Sequence, residues 1–219
     1  MTFADPATAQ LFGDVPVIPV LVIDQVADAV PLGKALVSGG LRVLEVTLRT
    51  PAALEAVEEI SSAVSGAVVG VGSVIDAAQF AAAARAGARF AVSPGATPQL
   101  HAAAEAAGLP WLPGAQTISE VLALRASGCR FMKFFPAHAA GGVIFLRSVA
   151  GPVPDVSFCP TGGISAANAA EYLALANVRC VGGSWLTPPE LLAAQRWDEI
   201  TTLAREAAAL RAGRPSRRD

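Results

Sequence analysis

Short runs rich in Val, Ile, Leu and Phe alternate along the chain with Ala-rich stretches whose apolar positions recur at helical spacing. The apolar runs predict strands over 17–23, 42–48, 67–71, 88–93, 110–112, 130–135, 156–160 and 178–182. Between them the spacing predicts helices near 25–38, 51–64, 76–86, 97–107, 117–127, 142–149, 165–176 and 188–194, several opened by Pro, Ser, Thr or Asp. A last helix covers about 197–212; a lead-in with one short helix occupies 1–14 and a basic tail 213–219. Strict alternation implies parallel strands, and continuously apolar runs imply strands covered on both faces.

Eight strand–helix units of about 22 residues each predict one domain over 1–219, a (β/α)8 TIM barrel at the lower end of that fold's size range. An open doubly wound sheet is the alternative, because alternation alone does not demand closure. A weak repeat favours the ring: SGGLRVLE, RAGARFAV, ASGCRFMK and ALANVRCV each set an arginine (Arg42, Arg89, Arg130, Arg179) at the start of an even-numbered strand. Alternate strands of a barrel share interior layers, which puts Glu45, Val92, Lys133 and Gly182 at one level. Glu45 and Lys133 then meet across the axis, and Gly182 leaves a gap that a ligand could fill. Glu45, Thr47 and Arg49 point to one side, with Arg49 nearest the C-terminal mouth.

Charge removes several classes of function. Sixteen Lys plus Arg face 18 Asp plus Glu, a net charge of −2, which argues against a nucleic-acid partner. With 53% apolar and 16% charged residues the chain has ample material for a core. Mean hydropathy is +0.50, yet no stretch of about 18 apolar residues runs without Ser, Gly, Pro or a charge, so no membrane association is expected. The opening MTFADPATAQ carries Asp5 and lacks an apolar central run, which predicts a cytoplasmic location. Cys129, Cys159 and Cys180 sit in or beside apolar runs and read as core thiols. His101 and His138 lack metal-ligand spacing, so neither a metal nor another cofactor is expected.

Of the 16 cationic side chains only Lys34 and Lys133 are lysines, and Lys133 stands inside the apolar FMKFF. Burial there favours a neutral amine, a nucleophile that condenses with a ketone to a Schiff base. A purely architectural Lys–Glu pair is the alternative. Glu45, within RVLEVTLR, suits general acid/base work or an ion pair with Arg49. Arg49, at the end of the second strand, could grip a carboxylate through two hydrogen bonds or simply be solvated. In CPTGGIS (159–165) and VGGSW (181–185) paired glycines follow a strand, the first pair leading to Ser165 at a helix start. Gly162, Gly163, Gly182 and Gly183 therefore suggest a phosphate cup after strands seven and eight, with ordinary tight turns as the alternative. Ser73 and Ser93-Pro94-Gly95 lie in mouth loops where they could position a ketone, and His138 could touch a hydroxyl or stay solvated. His101 is expected to face solvent, and Trp111, Trp185 and Trp197 to pack.

LEVTLRT (44–50), SPG (93–95), KFFPA (133–137), GPVP (151–154), CPTGGIS (159–165) and GGSWL (182–186) together resemble the bacterial 2-keto-3-deoxy-6-phosphogluconate (KDPG) aldolase family, which includes 4-hydroxy-2-oxoglutarate (KHG) aldolases. The resemblance runs from about Val15 to the final helix. It implies a (β/α)8 barrel, a homotrimer and metal-free cleavage of a phosphorylated keto acid to pyruvate and glyceraldehyde 3-phosphate. By the same resemblance Lys133 forms the Schiff base and Glu45 is the acid/base residue. Arg49, Pro94 and Thr161 surround the pyruvate-derived end, with Ser73 where the family often has Thr; Gly162, Gly163 and Ser184 bind phosphate. His138 stands where an acidic residue is expected. The residues leave open a galactonate-configured or KHG aldolase, a sugar-phosphate isomerase using Glu45 as base, and a non-catalytic sugar-phosphate-binding barrel.

Overall fold

The apolar runs become parallel strands and the Ala-rich stretches become the helices that cover them. The computed structural model describes residues 11–12 and 15–210; most of the lead-in and the basic tail lie outside the described residues. In chain order come β1 (Val17–Leu21), α1 (Val26–Ser38), β2 (Val43–Thr47), α2 (Ala53–Ala63), β3 (Val68–Gly72) and α3 (Ala77–Arg85). Then follow β4 (Ala91–Val92), α4 (Pro98–Ala107), β5 (Trp111–Leu112), β6 (Gly114–Ala115), α5 (Ile118–Ala126) and β7 (Phe131–Phe134). Last are α6 (Gly142–Ala150), β8 (Ser157–Pro160), α7 (Ala169–Leu173), β9 (Val181–Gly183), α8 (Pro189–Ala193) and α9 (Trp197–Ala209).

Six strands pair in the order β5-β4-β3-β2-β1-β9 and three in the order β6-β7-β8, all parallel. Isolated parallel bridges, Phe158 to Val178 and Thr161 to Gly182, run between the β8 segment and the β9 segment. The result is an α/β fold on a curled parallel sheet. The expected fifth strand arrives as two pieces, because Pro113 has no N–H to give a ladder. Its carbonyl still accepts the Lys133 N–H at 2.8 Å, so β5 faces β4 while β6 faces β7.

Strand alternation sorts side chains into two separate cores. Leu44, Val46, Met132 and Phe134 join the layer beneath the helices, whereas Val43 and Phe131 face inward with Ile18, Phe90, Val92, Leu112, Cys159 and Cys180. Glu45 and Lys133, two residues beyond Val43 and Phe131, are thereby committed to the inner face. Phe12 closes that inner core from outside the sheet, fully buried with its ring 4.8 Å from Phe90 and 5.7 Å from Phe131. Burying one such ring stabilises by roughly 1.5–3 kcal/mol, a large share of the net stability of a small domain.

All three cysteines are buried and in no disulfide among the described residues, and burial pushes the Cys129 thiol up to about 12, which leaves it protonated and inert at neutral pH. The arginine repeat lies at the strand starts: Arg130 and Arg125 pair with Asp155 at 3.0 and 2.8 Å, and Arg179 Nε donates to Ser157 Oγ at 2.8 Å. Among the described residues no helix is long and apolar enough to cross a membrane.

The expected polar helix starts are present. Asp76 and Gln79 form a capping box on α3, Thr97 caps α4 with Pro98 behind it, and Thr117 and Glu120 box α5. The Gln116 and Thr117 N–H groups donate to Glu120 at 2.8 and 2.7 Å and hold its carboxyl below the usual range. A depressed folded pKa contributes stability above the unfolded pKa and loses it as pH falls through the folded value. Glu120→Ala is therefore expected to lower unfolding free energy by about 0.5–1 kcal/mol at pH 7. In urea titrations against the parent chain, that difference should shrink as pH falls below the ordinary glutamate range.

Candidate active site

Alternation along β2 and β7 brings the two charged residues of the inner face together. Lys133 Nζ donates to Glu45 Oε1 at 3.2 Å, with the two side chains 7% and 3% exposed. Register places Lys133 between Gly114 of β6 and Cys159 of β8, and the Phe135 ring lies 5.3 Å from its ammonium nitrogen. On the other partner's side the Glu45 carboxylate lies directly over Gly72, where a Cβ would overlap Oε1. Glycine at the end of β3 is thus what gives the carboxylate its place.

A cavity of about 90 Å³ opens above this pair, lined by Val20, Glu45, Thr47, Arg49, Ser73, Pro94, Lys133, Phe135 and Thr161. It is a small cavity beside the amine, far too small for a whole six-carbon phosphate ester. Thr47 Oγ1 donates to the Leu21 carbonyl at 2.8 Å and accepts from Arg49 Nε at 3.2 Å. This fixes the guanidinium by its inner nitrogen and leaves its outer edge for an anion. Among the described residues no salt bridge occupies Arg49; Glu45 pairs with Lys133 instead of with it.

Two hydroxyls complete the cavity. Ser73 holds a left-handed backbone (φ 59°) just after β3, a conformation that costs a non-glycine residue on the order of 1–2 kcal/mol. Thr161, 7% exposed after β8, has an Oγ1 with no hydrogen-bond partner among the described residues. A buried orphan hydroxyl costs about 1–3 kcal/mol, which a ligand oxygen would recover. The gap expected at Gly182 does not exist, because Thr161 fills it: a Cβ on Gly182 would overlap Thr161 Oγ1.

The glycine pairs are partly as expected. Gly162 and Gly163 are both left-handed (φ 98° and 75°), and the Thr161 to Gly182 bridge sets their turn beside Gly182-Gly183. The Gly162 carbonyl accepts from His138 N–H at 3.0 Å and the Gly163 carbonyl from Asn168 Nδ2 at 2.9 Å. Both carbonyls of the turn are thereby engaged within the protein. Ser165 does not open a helix: its N–H is taken by Asn168 Oδ1 at 2.8 Å, and α7 begins only at Ala169. Ser184 is exposed and lines a larger hollow of about 570 Å³ with Asp24, Gln25, Asp28 and Thr187. That hollow meets the small cavity at Val20 and Arg49.

The structure thus gathers Lys133, Glu45, Arg49, Ser73, Pro94 and Thr161 around one cavity, and leaves the glycine loops and Ser184 beside it. Sequence reasoning missed Val20 and Phe135 as lining residues; Phe135 was legible, since it lies two positions beyond Lys133. It misjudged Ser93, whose hydroxyl is fully buried and turned from the cavity. His138 is exposed, its backbone bound to Gly162 and its side chain against Gly163. Among the described residues no three His, Cys, Asp or Glu side chains converge as metal ligands.

This geometry has relatives. Residues 9–203 match the family model "Aldolase: KDPG and KHG aldolase". A 2-dehydro-3-deoxy-phosphogluconate aldolase of Pseudoalteromonas atlantica is 50% identical over 207 residues, covering 94% of this chain and 96% of that protein. The KHG/KDPG aldolase of Escherichia coli is 52% identical over 192 residues, 88% of this chain and 90% of its own. A crystal structure of KDPG aldolase from Legionella pneumophila, with pyruvate captured at low pH as a covalent carbinolamine intermediate, superposes with a TM-score of 0.89 at 45% identity, covering 92% of this chain and 98% of that one. A family model spanning most of the chain and relatives at half identity over nearly their whole length lead to one conclusion: the chain belongs to the KDPG and KHG aldolase family.

Proposed function

We propose that this chain is a class I aldolase that cleaves KDPG to pyruvate and glyceraldehyde 3-phosphate through a Schiff base on Lys133. The observation that carries the reading is the Lys133–Glu45 pair, 3.2 Å apart at the floor of a small cavity. Glu45 accepts a proton from the ammonium, and the freed amine attacks the C2 ketone. Glu45 returns that proton to the hydroxyl of the resulting carbinolamine, which leaves as water to give a protonated imine and restores the carboxylate. Glu45, directly or through a water, then takes the C4 hydroxyl proton, the C3–C4 bond breaks, and its electron pair flows into the iminium. Glyceraldehyde 3-phosphate leaves; the enamine is protonated at C3 and hydrolysed to pyruvate, which regenerates the amine. The pyruvate carbinolamine of the Legionella relative corresponds to the last of these steps, the hydrolysis that releases pyruvate.

In this reading Arg49 holds the substrate carboxylate, Ser73 and Thr161 hydrogen-bond the keto-acid end, and Pro94 forms its wall. Gly162, Gly163, Gly182, Gly183 and Ser184 receive the phosphate from the neighbouring loops, which the small cavity by itself is too short to hold. The cavity residues contact only the part that KDPG and 4-hydroxy-2-oxoglutarate share, so KHG cleavage by the same lysine is the second reading, in line with the double name of the Escherichia coli relative. We further assign the chain to one domain whose strands close as a complete (β/α)8 barrel through the β8–β9 bridges, working in the cytoplasm as a homotrimer. Ile75 and Ile144, 69% and 79% exposed, are the apolar side chains a subunit contact would cover.

Borohydride with pyruvate is expected to leave a stable adduct on Lys133, located by peptide mapping; an adduct on Lys34, or none, rejects the lysine assignment. Glu45→Gln keeps the shape of the carboxylate but not its basicity, and should lower kcat for KDPG about 10²–10⁴-fold. A Glu45→Gln enzyme with unchanged kcat would remove Glu45 from the proton transfers. Light scattering should give three times the 22.2 kDa chain mass, and Ile75→Asp should reduce it; a monomeric parent chain rejects the trimer.

A further inference from the structure

We propose that Ser93 and Trp111 form a hydrogen-bonded strut that holds the Pro94 wall in place against the Lys133 imine, which makes both of them positioning residues for the reaction. The inference rests on the reading of Lys133 as the imine-forming residue.

Ser93 follows β4 and is fully buried, so both hydrogen-bonding functions of its hydroxyl need partners inside the protein. It donates to the Gly95 carbonyl at 2.6 Å and accepts from Trp111 Nε1 at 2.9 Å. Trp111 is itself anchored in the helical layer, its ring 6.0 Å from Phe80 of α3, edge-on, and 6.2 Å from His101 of α4. The Ser93 N–H is held by the Leu112 carbonyl at 3.3 Å. The peptide that carries Pro94 is therefore tied on both sides, and the tie runs from the outer helices through the sheet to the cavity.

The opposite face of that peptide rests on Gly114, where a Cβ would overlap the Pro94 carbonyl. Gly114 is the register partner of Lys133, and Pro94 and Lys133 line the same cavity. Any shift of the Pro94–Gly95 peptide is thus felt one strand away from the reacting nitrogen. Near-attack geometry tolerates little such movement, since a misplacement of about 1 Å can cost about 10²-fold in rate. Neither Ser93 nor Trp111 reaches the cavity, so their contribution must pass through Pro94.

The test uses Trp111→Phe, which keeps an aromatic ring but removes the N–H with part of the indole, Ser93→Ala, and the double variant. Measured are kcat and KM for KDPG, the rate of pyruvate-dependent inactivation by borohydride, and the melting temperature. Each single variant should lower kcat and the trapping rate about tenfold while KM stays within about twofold. The double variant should lose no more than the worse single one, because both act through one chain of hydrogen bonds. Variants that melt lower but trap pyruvate at the parent rate, or losses that multiply, overturn the strut. If Ser93→Ala fails to fold, Trp111→Phe alone decides by the same two rates. A parent enzyme that forms no adduct on Lys133 refutes the lysine reading instead, so the two failures are distinguishable.

Discussion

Two opposite charges 3.2 Å apart on the apolar inner face of a curled sheet set the terms for everything else in this molecule. Neither is tolerable there alone, since removing one partner of a buried pair costs about 3–5 kcal/mol, whereas replacing both by apolar residues is often neutral or better. Stability is therefore a poor reason to keep the pair, and reactivity a good one. The pair also dictates local composition: a glycine under the carboxylate at position 72, an aromatic ring near the ammonium at 135, and a register that keeps β6, β7 and β8 flush around Lys133.

The two ends of the strands divide the labour. At their starts two arginines of the repeat, Arg130 and Arg179, are engaged with Asp155, Ser157 and the Phe131 ring, and the interior is filled with hydrocarbon. At their ends the interior turns polar, with an orphan hydroxyl on Thr161, a strained Ser73 and a guanidinium without a carboxylate among the described residues. Such unspent capacity is costly to an empty site and is what a ligand can use. Ser73 and Thr161, which break local rules, line the same cavity, as expected when function and not folding chose them.

Much of this was legible in the chain. Period-two alternation committed Glu45 and Lys133 to one face, and the arginine repeat put them at one level on opposite strands; both follow from backbone geometry, which the sequence carries directly. The strand at 110–115 was read too short because a proline hides continuity: Pro113 breaks the ladder yet its carbonyl serves it. The gap foreseen at Gly182 was filled by Thr161, and the helix foreseen at Ser165 was delayed by Asn168; in each case a neighbour's side chain claimed the group first. Ser93 was the most opaque. A serine beside a proline and a glycine reads as a turn, and only a tryptophan 18 positions later decides where its hydroxyl points. Tertiary partners of that kind leave no periodic trace.

Phe12 belongs to no strand, yet it stoppers the inner core against Phe90 and Phe131. The second of its partners, Phe131, is made 119 residues after it. Until then its ring has no native berth, so the floor beneath the reactive lysine is the part of the interior that must be finished late.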